Sequence, residues 1–251
     1  MTENPWKPYY QPRAGAKLRV FAFHFAGGAA SAYREWPGLL PDSVDLVALQ
    51  MPGREGRLRD PLLDSMDAVL SEIEKPVLEQ MDLPYVIYGH SMGALISFEL
   101  MRKFRREGRT LPRKLFLSGR RSPRLPCRFP DIHDLPHDDL IEAMRKYGGT
   151  PEQILNEPDL MEMILPIVRA DFKLLEKYSY QAEEPFDFPI SIYGGRDDIR
   201  TTREELLAWG METRGEYLLR MFDGEHFFIS TNREPVVESL NAELNAVVAG
   251  L

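Results

Sequence analysis

Apolar residues fall into short continuous runs separated by longer stretches of helical period. Lys17-Leu18-Arg19-Val20-Phe21-Ala22-Phe23-His24 reads as a strand, followed by Ala26-Gly27-Gly28. Val44 to Gln50 reads as a buried strand that stops at Pro52-Gly53. Tyr85-Val86-Ile87-Tyr88 is a third run, ending in Gly89, and Lys114 to Ser118, Pro189 to Tyr193 and Tyr217 to Phe222 are further strands. Between them Met66, Val69, Leu70, Ile73, Val77 and Met81 recur at helical spacing, with Pro76 marking a kink or a restart. Leu95, Phe98, Met101 and Phe104 share one helical face, and Glu204 to Trp209 is helical. Val236, Val237, Leu240, Leu244, Val247 and Val248 line a closing helix, with Pro235 where a first-turn proline is tolerated. Strands apolar on both faces, alternating with helices, predict an α/β fold with a mostly parallel sheet covered by helices.

One stretch breaks the alternation. Ser122 to Pro185 carries helical pattern and loops but no clear strand. An insertion of that size predicts one domain over 1–251 with a helical lid at about 122–185. Leu160 to Leu175 is apolar nearly all round, with Pro166 inside, which fits either a buried helix or a helix whose inner face lines an acyl pocket.

Composition narrows the class. At 43% hydrophobic and 28% charged residues, the chain is neither disordered nor low-complexity. No apolar run approaches a membrane span, and Met1 to Lys17 does not read as a signal peptide. Cys127 is the only cysteine, so no internal disulfide can form and a cytoplasmic location is expected. A net charge of −8 argues against general nucleic-acid binding.

The strongest chemical signal is Gly89-His90-Ser91-Met92-Gly93, a G-x-S-x-G elbow between an apolar strand and an amphipathic helix. The turn is too sharp for side chains at either glycine, and it sets Ser91 at a helix N-terminus. A serine hydroxyl needs a base, and the order for this elbow is Ser, then an acid, then His. His226 follows the last strand in Gly224-Glu225-His226-Phe227-Phe228 and is the expected base. The acid belongs just after the Pro189–Tyr193 strand, where Asp197 and Asp198 are both candidates on spacing. Backbone N–H groups of Met92 and Ala26 are the expected oxyanion hole. His24 and His90 are expected to pack rather than react. His133 and His137, four apart, suggest zinc, but no Glu follows the first and Pro136 disfavours one helix, so no metal is expected.

The chain resembles the type II thioesterases, the stand-alone editing hydrolases of polyketide and nonribosomal peptide assembly lines. The likeness runs through Phe23 to Gly28, Gln50-Met51-Pro52-Gly53-Arg54-Glu55, Gly89 to Gly93, Tyr147 to Pro151, Arg169-Ala170-Asp171-Phe172 and Gly195 to Asp198, then Trp209 and Gly224 to Phe228. It departs in having His24-Phe25 before Ala-Gly-Gly and Asp198-Ile199 where Asp-Pro is common. The resemblance implies an α/β-hydrolase fold with a helical lid, and Asp198 rather than Asp197 as the acid. It implies hydrolysis of acyl groups from the phosphopantetheine arm of acyl or peptidyl carrier domains through an acyl-Ser91 intermediate. No cofactor is implied, since the arm belongs to the partner, and a monomer is expected. A general esterase or a medium-chain fatty-acyl chain-terminating thioesterase would use the same triad. A non-catalytic binding module would not need Ser91, an acid and His226 together.

Charge is uneven. From Arg102 to Arg128 there are eleven Lys/Arg and one acid, Glu107. The first part should be a solvated helix face remote from the site. Arg120, Arg121, Arg124 and Arg128 should surround the mouth of the site, where this cluster, Arg120, Arg121 and Arg124 above all, could dock an acidic carrier. Arg54 with Glu55, and Arg169 with Asp171, are expected to be structural pairs.

Overall fold

The structure, a computed structural model, describes residues 4–251; Met1, Thr2 and Glu3 of the Met1–Lys17 stretch lie outside it. Six parallel strands form one sheet: β1 (Leu18–Phe23), β2 (Val44–Ala48), β3 (Tyr85–His90), β4 (Leu115–Ser118), β5 (Ile190–Gly195) and β6 (Tyr217–Phe222), in the order β2-β1-β3-β4-β5-β6. Side chains alternate across the pleat, so each strand feeds two cores. Phe21, Phe23, Ile87, Leu115, Leu117 and Ile192 face α1 (Met66–Leu78) and α2 (Met92–Arg106). Val20, Ala22, Val86, Tyr88, Phe116 and Tyr193 face Tyr33, Trp36 and the closing helix. That double burial is the reason the strands read as unbroken apolar runs.

Pro76 does not end the first helix: it sits within the last turn of α1, which runs on to Leu78. Between β4 and β5 lie α3 (His137–Tyr147), α4 (Glu152–Leu155) and α5 (Pro158–Lys177). These lid helices have a small core of their own, including Leu140, Met144, Leu155, Met161 and Leu165. α5 resolves the two readings of its apolar stretch. Met161, Leu165 and Leu174 are buried, Ile164, Val168, Phe172 and Leu175 line a cavity, and Leu160 and Met163 face outward. The short helices α6 (Arg203–Leu207) and α7 (Phe228–Thr231) precede and follow β6, and α8 (Arg233–Ala249) closes the chain.

All six strands point the same way, so their C-terminal ends deliver Phe25–Gly28, Ser91, Gly119–Arg121, Asp198 and His226 to one edge. Strand order reverses between β1 and β3, and that switch point is where an open α/β sheet leaves a crevice. Among the described residues, no helix is long and apolar enough to cross a membrane.

Candidate active site

The elbow is built by close approach. A Cβ on Gly93 would overlap the carbonyl of Phe23, and one on Gly89 would overlap the carbonyl of Gly93. Both glycines are therefore required for α2 to start against the end of β1. Ser91 is held at φ 55, ψ −110, a region that costs a non-glycine residue about 1–3 kcal/mol. Its N–H donates to the Ser118 carbonyl at 2.7 Å, tying the strained turn to β4.

Ser91, His226 and Asp198 converge. His226 Nε2 lies 3.0 Å from Ser91 Oγ, and Nδ1 lies 2.8 Å from Asp198 Oδ2. With Nδ1–H donating to the carboxylate, Nε2 is free to accept from the serine. Burial tends to raise the Asp198 pKa. Hydrogen bonding and charge attraction from His226, with bonds from the Arg200 N–H and the Thr201 hydroxyl, outweigh it and hold the carboxyl below its ordinary value. Asp197 is exposed and accepts from the Gly224 N–H at 3.3 Å, so it braces the loop that carries the histidine. Geometry thus separates two carboxylates that spacing alone did not.

The other histidines pack. Burial, then the Arg54 charge, pushes the His24 pKa down to about 4, and Nδ1 lies 2.9 Å from the Phe25 carbonyl. His90 is fully buried, with Nδ1 2.9 Å from Ser118 Oγ and its ring centroid 5.2 Å from that of His226. Burial, then His226, sets its pKa well below the ordinary value, so a neutral ring floors the site. His133 is buried against Glu176 and Asp134, with Asp131 nearby, while His137 is exposed beside Asp138. The two therefore do not share one ligand cluster.

The Phe25–Gly28 loop, expected to carry an oxyanion donor, has a support that local reading missed. The Gly27 N–H donates to Asp171 Oδ2 at 2.8 Å, and the Gly28 N–H to the Phe25 carbonyl at 3.0 Å. Among the described residues the Ala26 N–H has no acceptor, and Met92, first residue of α2, has none within its helix. Asp171 in turn takes Arg54 in a two-pronged pair, at 2.7 and 2.9 Å, with both side chains nearly sealed from solvent. Arg54 also donates to the Gly28 carbonyl at 3.2 Å. The expected Arg54–Glu55 and Arg169–Asp171 pairs do not form. Glu55 accepts from the Tyr9 hydroxyl at 3.1 Å, and Arg169 donates to the carbonyls of His133 and Leu135.

The basic run divides as expected in position but not in state. Its first part is paired rather than simply solvated: Arg102, Arg105 and Arg106 all meet Glu183, and Lys103 meets Glu74 and Glu107. Arg120, Arg121 and Arg124 all line a cavity of about 540 Å³ that opens on Ser91 and His226 under the lid. Arg121 donates to the Leu125 carbonyl at 2.9 Å and Arg124 to Glu212 at 3.0 Å.

The thioesterase domain model matches residues 18–244. This chain belongs to the thioesterase family. It is 37% identical over 246 residues to the gramicidin S biosynthesis protein GrsT of Aneurinibacillus migulanus, covering 98% of this chain and 96% of that protein. ClbQ from the colibactin NRPS/PKS pathway superposes with a TM-score of 0.88 at 30% identity, over 92% of this chain and 98% of ClbQ. The type II thioesterase BorB from the borrelidin biosynthetic cluster superposes with a TM-score of 0.87 at 29% identity, over 97% of this chain and 99% of BorB. The chain is thus a thioester hydrolase of the type II kind, on the α/β-hydrolase fold its elbow predicts.

Proposed function

We propose that this thioesterase removes acyl groups from the phosphopantetheine arm of carrier domains, with Ser91 as nucleophile, His226 as base and Asp198 as its orienting acid. The observation that carries the reading is the Ser91–His226–Asp198 relay opening into a lid-covered cavity. Ser91 Oγ attacks the thioester carbonyl as His226 Nε2 takes its proton. The tetrahedral oxyanion meets the N–H groups of Ala26 and Met92. Collapse breaks the C–S bond, and His226 returns the proton to the departing thiolate of the arm. A water, deprotonated by His226, then attacks acyl-Ser91. The carboxylic acid leaves and the serine proton is restored. Asp198 stays ionised, steadying the imidazolium of each half-reaction.

None of these steps requires a metal or resident cofactor, because the arm arrives with its partner. Arg121 and Arg124, which line the cavity, are the residues of this chain offered to an acidic carrier. Support for carriers rather than free esters comes from the assembly-line relatives and from this cluster. The test compares kcat/KM for one acyl group on a carrier domain and on N-acetylcysteamine, at low salt. A carrier advantage that shrinks in Arg121→Glu supports the reading. Equal rates on both substrates, or no effect of the charge reversal, would overturn carrier recognition by this cluster.

A further inference from the structure

Of the arginines lining the cavity, Arg121 and Arg124 are paired and Arg200 is stacked on aromatic rings, whereas among the described residues Arg120 has neither kind of contact. Arg54, Arg121, Arg124 and Arg128 each have a carboxylate or carbonyl partner. Among the described residues, the Arg120 guanidinium has none. Its Nε is sealed from solvent without an acceptor, and the side chain lines the cavity. Its own carbonyl is fixed by the Trp209 indole N–H at 2.6 Å, so the residue is held in place. Burial, then Arg121, lowers its pKa to about 10, which leaves it charged at neutral pH. The carboxylates on the cavity wall are already engaged. Glu176 accepts from the N–H groups of Ile132 and His133 and meets the His133 ring, and Asp131 meets Lys177. A second cation, Arg200, lines the same space, stacked 3.0 Å from the Tyr147 ring centroid and 4.4 Å from that of Phe129.

An unpaired, partly buried guanidinium is costly unless an anion completes it. Position limits which anion that is. Arg120 stands two residues after Ser118, whose carbonyl accepts the Ser91 N–H. The phosphate of a carrier arm is separated from the thioester by a two-amide spacer, whereas the acyl group begins at Ser91 itself. Building on the thioesterase reading, we propose that Arg120 receives a carboxylate carried by the acyl group, so that the site accepts half-thioesters of short dicarboxylic acids. A planar guanidinium matches a carboxylate with two parallel N–H donors, and Tyr147 and Phe172 of the lid line the same cavity.

The experiment uses N-acetylcysteamine thioesters, which lack both phosphate and carrier, beside the same acyl groups loaded on the phosphopantetheine arm of a carrier domain. The ratio of kcat/KM for succinyl over butyryl is measured in the wild type, Arg120→Gln and Arg120→Lys. A ratio taken within one variant is independent of how much of it is folded. The ratio should fall about ten- to a hundredfold in Arg120→Gln, the range for hydrogen bonds to charged groups, and partly recover in Arg120→Lys. An unchanged ratio overturns the proposal. So does a loss equal for both acyl groups that is seen only on phosphopantetheine-bearing substrates, since the anion is then the arm phosphate. Failure of the wild type on every thioester would overturn the thioesterase reading itself; hydrolysis without charge discrimination overturns only the role of Arg120.

Discussion

The Arg54–Asp171 pair joins the lid helix α5 to the loop that offers the Ala26 N–H, and its removal separates stability from catalysis. Asp171→Leu leaves Arg54 as a buried, uncompensated cation. Breaking a buried pair on one side costs about 3–5 kcal/mol. At roughly 2–4 °C per kcal/mol for a domain of this size, Tm should fall by about 6–20 °C. Replacing both partners, as Arg54→Met with Asp171→Leu, removes the buried charge and should restore most of that Tm, since apolar replacements of buried pairs are often neutral or stabilising. Catalysis should not return with it. Gly27 N–H loses the acceptor that holds the loop, and a displaced oxyanion donor costs about 10²–10³ in kcat. Because the loss falls on the transition state, KM should move little. The assay is thermal melting beside steady-state hydrolysis of one acyl thioester in the wild type, Asp171→Leu and the double variant. Recovery of both Tm and kcat in the double variant would refute the positioning role and leave the pair a purely structural contact.

Two further outcomes follow from the same geometry. Asp198→Asn should lower kcat by about 10⁴, because the amide no longer holds His226 in the right tautomer, while Asp197→Asn should change it only a few-fold; the reverse ranking in a hydrolysis assay would contradict the assignment. Acid should destabilise the fold through His24, whose pKa is pushed to about 4 against an unfolded value of about 6.5. The unfolded chain binds that proton first, so the stabilisation is complete above about pH 6.5. It is lost as pH falls toward about 4, by about 3 kcal/mol in all. Denaturant unfolding across that window should show a slope to which His24 and the buried His90 both contribute, and His24→Asn should reduce it by about one proton's worth; an unaltered slope would rule out His24 as a source.

What the sequence displayed and what it hid have physical causes. The strands were visible because five of the six are buried on both faces and therefore mostly apolar, while the partly exposed edge strand β6 is still apolar except at Arg220. Ser91 and His226 were visible because a sharp turn needs Gly89 and Gly93 at fixed offsets and because parallel strands deliver their loops to one edge in chain order. Asp198 and Asp197 could not be told apart by spacing: the distinction is which carboxylate turns inward to His226, Arg200 and Thr201. Arg54 was assigned to its neighbour Glu55, yet its partner Asp171 lies 117 residues away. Nothing local marks such a pair, since it exists only after the lid has folded onto the β1 loop. Pro76 was read as a kink or a restart because interior prolines remove a hydrogen bond, yet α1 continues two residues past it, with Ile73, Pro76 and Val77 all buried in the core. The isolation of Arg120 was equally hidden, because the want of a partner is a property of the assembled cavity rather than of a motif.

The most direct measurement is intact-mass analysis of acyl-loaded carrier domains together with the enzyme, quenched in acid, for the wild type and Ser91→Ala. The account predicts loss of the acyl mass from the carrier with wild type only, accompanied by an acyl adduct on the wild-type enzyme that Ser91→Ala lacks. Continued deacylation by Ser91→Ala at the wild-type rate would contradict it, because the chemistry would then not pass through the serine that His226 and Asp198 are arranged to serve.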